Sequence, residues 1–379
     1  MVLRWVVVGV VVVMVAVRTA YEWDRGELFQ TRRASSYPDE RYVEGQRLML
    51  MLINQQRDLA GREPLVLGDN QAAQLHAEAS LRNCSVSHWA ADGLKPYMRY
   101  SLAGGYQYNT ENVSGSTYCP DASKGYLPGP SIEDEIREAM RGFMASPGHR
   151  ANLLDRWHRK VNIGLAWDEY SFVAVQHFEG NLVEYDQMPS IEEGVLLISG
   201  TARREVIFEA DEDLGISVIY DPPPHPLTRG QLSRTYCYDL GLPVASLRPP
   251  LTGDWYYIED EISESYQAET CPNPYDIPSS SSAPRTPEEA EEQFEKARIS
   301  SLARVNHSVT IPWVTASDWT ISGQDFAVAA ELGDMLAEHG SGVYTVVVWG
   351  KQGSEDVIIS VYSIFHELDP PDTYGSHAR

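Results

Sequence analysis

Apolar positions recur along the first half of the chain at helical spacing and then at strand spacing. Leu48, Met49, Leu52, Ile53 and Leu59 fall three and four residues apart. That spacing predicts a helix over 39–60, with Gly61 where it should stop. A second helix is expected over 70–83, with Asp69 as N-cap. The stretch 90–130 holds Gly, Tyr, Ser and Pro without a period and reads as a long, ordered loop. Ser131 opens a third helix with Asp134 as its capping-box partner, and Ser146-Pro147 opens a fourth. Val161, Ile163, Leu165 and Trp167 then alternate with small or polar residues, as do Val173, Val175 and His177, which predicts two strands. Helices first and a hairpin last imply a layered α+β unit.

The second half reads differently. Short strands are expected at 195–198, 205–208, 216–220, 234–238, 255–258, 343–349 and 357–365. With Pro/Gly turns between them they imply an all-β, immunoglobulin-like sandwich over 190–370. Gly342-Val343-Tyr344 resembles the tyrosine corner of such sandwiches. Residues 272–300, with the Ser279–Ser282 run, prolines and a Glu cluster, read as a flexible insertion. A composition shift near 186–193 marks the expected boundary.

The N-terminus changes the compartment. Arg4 precedes an apolar run from Trp5 to Val17 that Arg18 closes. Its thirteen residues would rise roughly 20 Å as a helix, short of a bilayer core of about 30 Å. Residues 1–20 therefore read as a signal peptide or signal anchor, and 21–37 as a spacer. The expected location is secreted, or anchored to the outer face of the cytoplasmic membrane. In that setting the four cysteines form disulfides, and Cys84–Cys119 with Cys237–Cys271 is the simplest of the three pairings open to them. Asn83, Asn112 and Asn306 each begin an N-x-S sequon. Thirty basic against fifty-four acidic residues give a net charge of −24 over 379 residues. Such a surface repels phosphate backbones, which argues against a nucleic-acid partner.

Three segments carry a family resemblance. Ile53-Asn54-x-x-Arg57 followed by Pro64-Leu65 is the first, and Ser87-His88 with Glu111-Asn112-Val113 the second. The third is Ser146-Pro147-Gly148-His149-Arg150-Ala151-Asn152-Leu153-Leu154. Ile163-Gly164 and Val175-Gln176-x-Phe178 complete the order. Residues 38–187 thereby resemble a prokaryotic-type domain of the CAP superfamily (cysteine-rich secretory, antigen 5, pathogenesis-related; SCP-like). The resemblance implies a three-layer α-β-α sandwich and a cleft lined by His88, Glu111 and His149. Two neutral imidazoles with a carboxylate can hold zinc and leave positions open for water or ligand, with His88 and His149 as the metal ligands. Two departures stand out: Thr110 replaces a Gly, and the second family acid has no clear counterpart among Glu135, Glu138 and Ser146.

Each of these residues also has a structural reading. His88 can serve as a turn histidine, Glu111 and Asn112 as loop ties, and His149 as a helix-terminal hydrogen bonder. His76 reads as a core histidine, and His177 borders the expected cleft. Functionally, the resemblance implies an extracytoplasmic, non-enzymatic binding module for a lipid, glycan or partner protein. The alternatives are a metal-dependent hydrolase and a cell-surface protein acting through the β-sandwich.

Overall fold

The computed structural model describes residues 40–83, 85–116, 131–168, 171–204, 206–208, 215–235, 237–257, 265–269, 271, 273–280, 292, 306–369 and 371–374. The signal segment, the spacer, the Cys84–Cys119 pairing and most of the expected insertion lie outside these residues. Among the described residues, no helix is long and apolar enough to cross a membrane.

The first unit runs α1 (Glu40–Leu59), β1 (Val66–Leu67), α2 (Ala72–Asn83), α3 (Pro96–Leu102), β2 (Asn109–Ser116), α4 (Ile132–Ala145), α5 (Pro147–Leu154), β3 (Lys160–Trp167) and β4 (Phe172–Glu179). Its four strands form one sheet in the order β1-β3-β4-β2. Val161, Ile163, Leu165 and Trp167 pack with Met49 and Ile53 of α1 and with Ile136 and Phe143 of α4. Ala166, Val173 and Val175 pack with Ala73, Ala77 and Leu81 of α2 on the opposite face. The alternation in β3 is therefore large against small, and the small side lets α2 come close. A Cβ on Gly164 would stand 2.1 Å from the carbonyl oxygen of Ala73.

The second unit continues with β5 (Val183–Glu192), β6 (Val195–Ala202), β7 (Ile216–Asp221), α6 (Arg229–Leu232), β8 (Leu242–Arg248), β9 (Ser265–Glu269), β10 (Asn306–Thr310), β11 (Trp313–Thr315), β12 (Asp318–Ser322), β13 (Asp325–Glu331), α7 (Gly333–His339), β14 (Gly342–Gln352) and β15 (Glu355–His366). A five-stranded sheet, β11-β8-β7-β14-β15, faces a four-stranded one, β12-β13-β6-β5. Between them lie Leu196, Ile198, Val218, Val244, Phe326, Val346 and Ile359. β9 and β10 pair as a separate ribbon. The whole is α+β, an α-β-α layer followed by a β-sandwich. The Tyr344 hydroxyl donates to the carbonyl of Gly340 at 2.6 Å, the back-bond of a tyrosine corner. The composition shift near 186–193 falls inside β5, which pairs with β6 of the sandwich from Val183 onward.

Several local expectations are corrected. Asn70, not Asp69, caps α2, its side chain accepting from the Ala72 amide at 2.9 Å. Ser131 does cap α4, whereas the Ser146 side chain makes no capping hydrogen bond to α5. The 90–130 loop contains α3 and β2. Their signal was missing because α3 is buried all round, and β2 derives its strand character from pairing with β4. Among the described residues of 205–208 only an isolated bridge, Ile207 to Lys351, is present. The described residues of 234–238 and 255–257 are irregular, and β8 follows instead.

The two units share a core. Leu94, Tyr97, Met98 and Leu102 pack against Ile219, Val343, Val347 and Val361. The Ser363 amide donates to Ser101 Oγ at 3.0 Å, and Ser360 Oγ to the Tyr106 carbonyl at 2.6 Å. Replacing Gly164 by Ala should destabilise the chain by roughly 1–3 kcal/mol, because backbone rather than a pliable side chain meets the new methyl. Urea denaturation measures it, and an unchanged midpoint contradicts the packing described.

Candidate functional site

β2 is one of the two edge strands of the first sheet, and the site is built around that edge. His88 lies beyond α2, in the segment leading to α3, while His149 sits in the first turn of α5. Glu111 projects from β2, where it is in register with His177 of β4. The structure brings His88, Glu111 and His149 together. The rings of His88 and His149 are 6.1 Å apart, centroid to centroid, and tilted by 52°. His88 Nδ1 is 3.0 Å from Glu111 Oε1.

Glu111 does not open to solvent as expected: it is 2% exposed. Its second oxygen accepts from Arg99 Nη2 at 2.7 Å, both side chains being 1% exposed. Burial alone would raise its pKa. The Arg99 guanidinium, with His76 and His88 behind it, outweighs burial and holds the carboxyl well below the usual carboxylate range. An ionised carboxylate only accepts, so Nδ1 of His88 carries the proton and donates it. In the neutral ring, Nε2 of His88 is then the lone-pair nitrogen.

Arg99 also donates through Nη1 to the carbonyls of His88 and Leu94, at 2.9 and 2.8 Å. One guanidinium thus fixes both the backbone and, through Glu111, the ring of His88. On the opposite side, Asn112 Nδ2 donates to the His149 carbonyl at 3.0 Å, and Asn152 Nδ2 to Asn112 Oδ1 at 3.0 Å. Asn112 is 0% exposed, so its sequon offers no acceptor for glycosylation in the folded chain. Phe143 meets the His149 ring edge-on at 5.3 Å. Among the described residues, neither ring nitrogen of His149 has a hydrogen-bond partner. Burial, then the nearby His88, lower its pKa to about 4.

Around this centre lie three more buried histidines. His76 Nε2 is 2.8 Å from the Ser87 carbonyl, the packed role expected of it. His177 stacks on Tyr100 at 4.8 Å, with Nε2 3.1 Å from Asn109 Oδ1 and Nδ1 4.0 Å from Glu111. His158 lies between Tyr108 and Phe178, bonded to the Asn152 carbonyl. The β-sandwich adds Tyr238, whose ring is 5.2 Å from that of His88 and whose hydroxyl faces the backbone of Glu111. Sequence reasoning missed Arg99, His158 and Tyr238. An Arg within an aperiodic Tyr-rich stretch was the only available signal for the first.

The surface hollows lined by Arg62, Arg156 and Arg159, and by Gln56, Arg137 and Arg141, contain none of these residues. The site is defined by the convergence of its side chains. Among the described residues, no group of three His, Cys, Asp or Glu is arranged to hold a metal ion. Glu135 and Glu138 stand on α4, and Glu138 is paired with the exposed Arg141. Cys237 and Cys271 are bonded as expected. Cys271 holds down the segment that bears Tyr238.

No protein-family model matches the sequence, and no curated protein does. Among solved structures, the chain is similar to an extracellular protein containing a SCP domain from Bacillus anthracis str. Ames. The identity is 18%, over 39% of this chain and 45% of that one, with a TM-score of 0.29. The match spans less than half of the neighbour's length.

Two outcomes follow from the geometry. Arg99→Met should cost about 3–5 kcal/mol by leaving Glu111 buried and unpaired. Arg99→Met combined with Glu111→Gln should recover part of that loss in urea denaturation. A single variant as stable as the native chain contradicts the ion pair. Acid should also weaken the fold. Burial lowers His76 to about 3, and His158 and His177 to about 4, below an unfolded value of about 6.5. The unfolded chain then binds more protons as pH falls from 6.5 toward 4, so stability is lost across that window. Glu111, depressed in the fold, acts in the same direction at lower pH, below its unfolded value of about 4.3. A urea midpoint flat between about pH 6.5 and 4 contradicts these buried neutral rings.

Proposed function

We propose that the chain is an exported, non-enzymatic binding protein whose recognition element is the His88–His149 pair. The observation that supports this most is the engagement of Glu111. Both its oxygens are taken, one by His88 and one by Arg99, and the pairing holds it ionised. A carboxylate so stabilised is a weak proton acceptor, so it suits orientation of His88 better than general-base work. Export is supported by the Arg4 and Trp5–Val17 pattern and by the Cys237–Cys271 bond.

Zinc is the metal that the resemblance implies, and the donor chemistry fits it in part. Nε2 of His88 and a ring nitrogen of His149 would be the protein ligands. Glu111 would stand behind His88 as the carboxylate that sets its tautomer and raises its basicity. Bound zinc would supply a Lewis-acid attachment point for an oxygen or nitrogen group of the ligand. The ligand classes in keeping with this site are a lipid, a glycan or a partner protein, and the net charge of −24 disfavours nucleic acid. A metal-dependent hydrolase would use the same histidines but would need a proton acceptor other than Glu111.

Calorimetric titration with zinc chloride tests the reading. The native chain should bind zinc, His149→Ala should not, and Glu111→Gln should bind about 10–100-fold more weakly. Equal affinity in all three removes the histidine pair as the site. Turnover of peptide or ester substrates by the zinc-loaded chain would replace binding by hydrolysis.

A further inference from the structure

Between the two units lies a second buried polar group that the histidine site does not use. Lys95, just before α3, is 3% exposed. Its Nζ is 2.8 Å from Oδ1 of Asp221, 2.8 Å from Oδ1 of Asp239 and 3.0 Å from the Asp239 carbonyl. Trp89 and Tyr97 wall it in, their ring centroids 5.1 and 5.9 Å from Nζ. The Tyr97 hydroxyl donates to Oδ2 of Asp221 at 2.6 Å. Asp221 closes β7 and is itself 5% exposed. Asp239 is held differently: the amides of Gly241 and Cys271 donate to its two oxygens, each at 3.2 Å, and its side chain is 28% exposed.

An amine and two unlike carboxyls packed among aromatic rings are the components of an amide condensation. We propose that Lys95 and Asp221 join as a side-chain amide, which covalently ties the α-β-α unit to the β-sandwich. The ammonium of Lys95 gives one proton to the Asp221 carboxylate, leaving a neutral amine and a carboxylic acid. Burial works toward that transfer from both ends: it raises Asp221 against the pull of Lys95, and it opposes the rise that Asp221 and Asp239 give Lys95. The amine lone pair then forms the Nζ–Cγ bond, and Tyr97 stabilises the negative charge that develops on the Asp221 oxygen it faces. Once Lys95 is neutral, the charge that chiefly lowers Asp239 is gone, and the Asp239 carboxylate, 2.8 Å from Nζ, takes the second amine proton. It returns that proton to the departing hydroxyl, the Cγ–O bond breaks, and water leaves on the more exposed Asp239 side. One ammonium and one carboxylate become one amide and one water, and no oxidant or cofactor enters.

Two considerations favour condensation over a lasting ion pair. A buried cation between two carboxylates carries a desolvation cost and a residual negative charge, and the amide removes two of the three charges. Fixing the reacting groups also replaces a bimolecular encounter, with effective molarities on the order of 10⁵ M or more when geometry is right.

The test is peptide mapping of the full-length folded chain, reduced, alkylated and digested with trypsin under denaturing conditions. Lys95 precedes Pro96, so it falls within 83–99, and Asp221 falls within 205–229. The expected product is these two segments joined, about 18 Da lighter than their sum. A succinimide cannot mimic it, because that dehydration stays within one peptide and leaves the two segments separate, and at Asp221 itself Pro222 has no amide N–H to close the ring. Lys95→Arg and Asp221→Ala should each abolish the joined species, and Asp239→Asn should lower its yield. Separate, unmodified 83–99 and 205–229 from folded native chain overturn the proposal, as does a link mapped to Asp239 instead. An undiminished yield in folded Asp239→Asn overturns the role given to that carboxylate.

Discussion

Arg99 and Glu111 meet at 2.7 Å with both side chains almost wholly removed from water, and much of the molecule is arranged to make that tolerable. A buried carboxylate needs its charge compensated and both oxygens partnered. Arg99 supplies the charge and one donor, and His88 supplies the other. The remaining guanidinium donors go to the carbonyls of His88 and Leu94, so the segment that carries His88 is pinned to the same centre. α3 presents Arg99 inward and lays Tyr97, Met98 and Leu102 against the sandwich. The pair thus joins the edge of one sheet, the approach to the histidines and the contact between the two units.

An edge strand leaves one row of backbone groups without a ladder partner. Here the edge of β2 is where the site is made: His88 arrives from the side of α2, His149 from the side of α5, and Tyr238 from the sandwich. The second unit is therefore part of the site's surroundings. Trp89 Nε1 donates to the Cys237 carbonyl at 3.2 Å, and Ser87 Oγ to the Thr235 carbonyl at 3.0 Å. Both bonds flank His88. They bring the disulfide-held segment of the sandwich directly over the first histidine.

What the sequence disclosed follows the same physics. α1, α4, β3 and β4 were legible because each has a face or an alternation set by a large apolar core. His88, Glu111 and His149 were legible as a set through the Ser87-His88, Glu111-Asn112 and Ser146–Leu154 motifs. Their division of labour was not, because the buried position of Glu111 depends on Arg99, and Arg99 lies in a stretch with no period. α3 is seven residues long and buried on every side, which removes the amphipathic signal by which helices are found. In the sandwich, β14 and β15 were found from their long Val/Ile runs. β5, β8 and β9 to β13 were missed: among them β11 and β12 are short and partly exposed, and β8 is interrupted by Pro243 and paired to β7 across a register shift. Tyr238 had no signal at all, since its role comes only from the docking of one unit on the other.

The central claim is that Glu111 orients His88 rather than acting as a free acid, and nitrogen-15 NMR of the histidine rings tests it most directly. With Glu111 ionised and bonded to Nδ1, His88 should be the Nδ1–H tautomer at neutral pH. The Glu111 carboxyl should stay ionised as pH falls through about 4.3, where an ordinary glutamate titrates. An Nε2–H tautomer at His88 together with a Glu111 carboxyl titrating at the ordinary value would contradict the account.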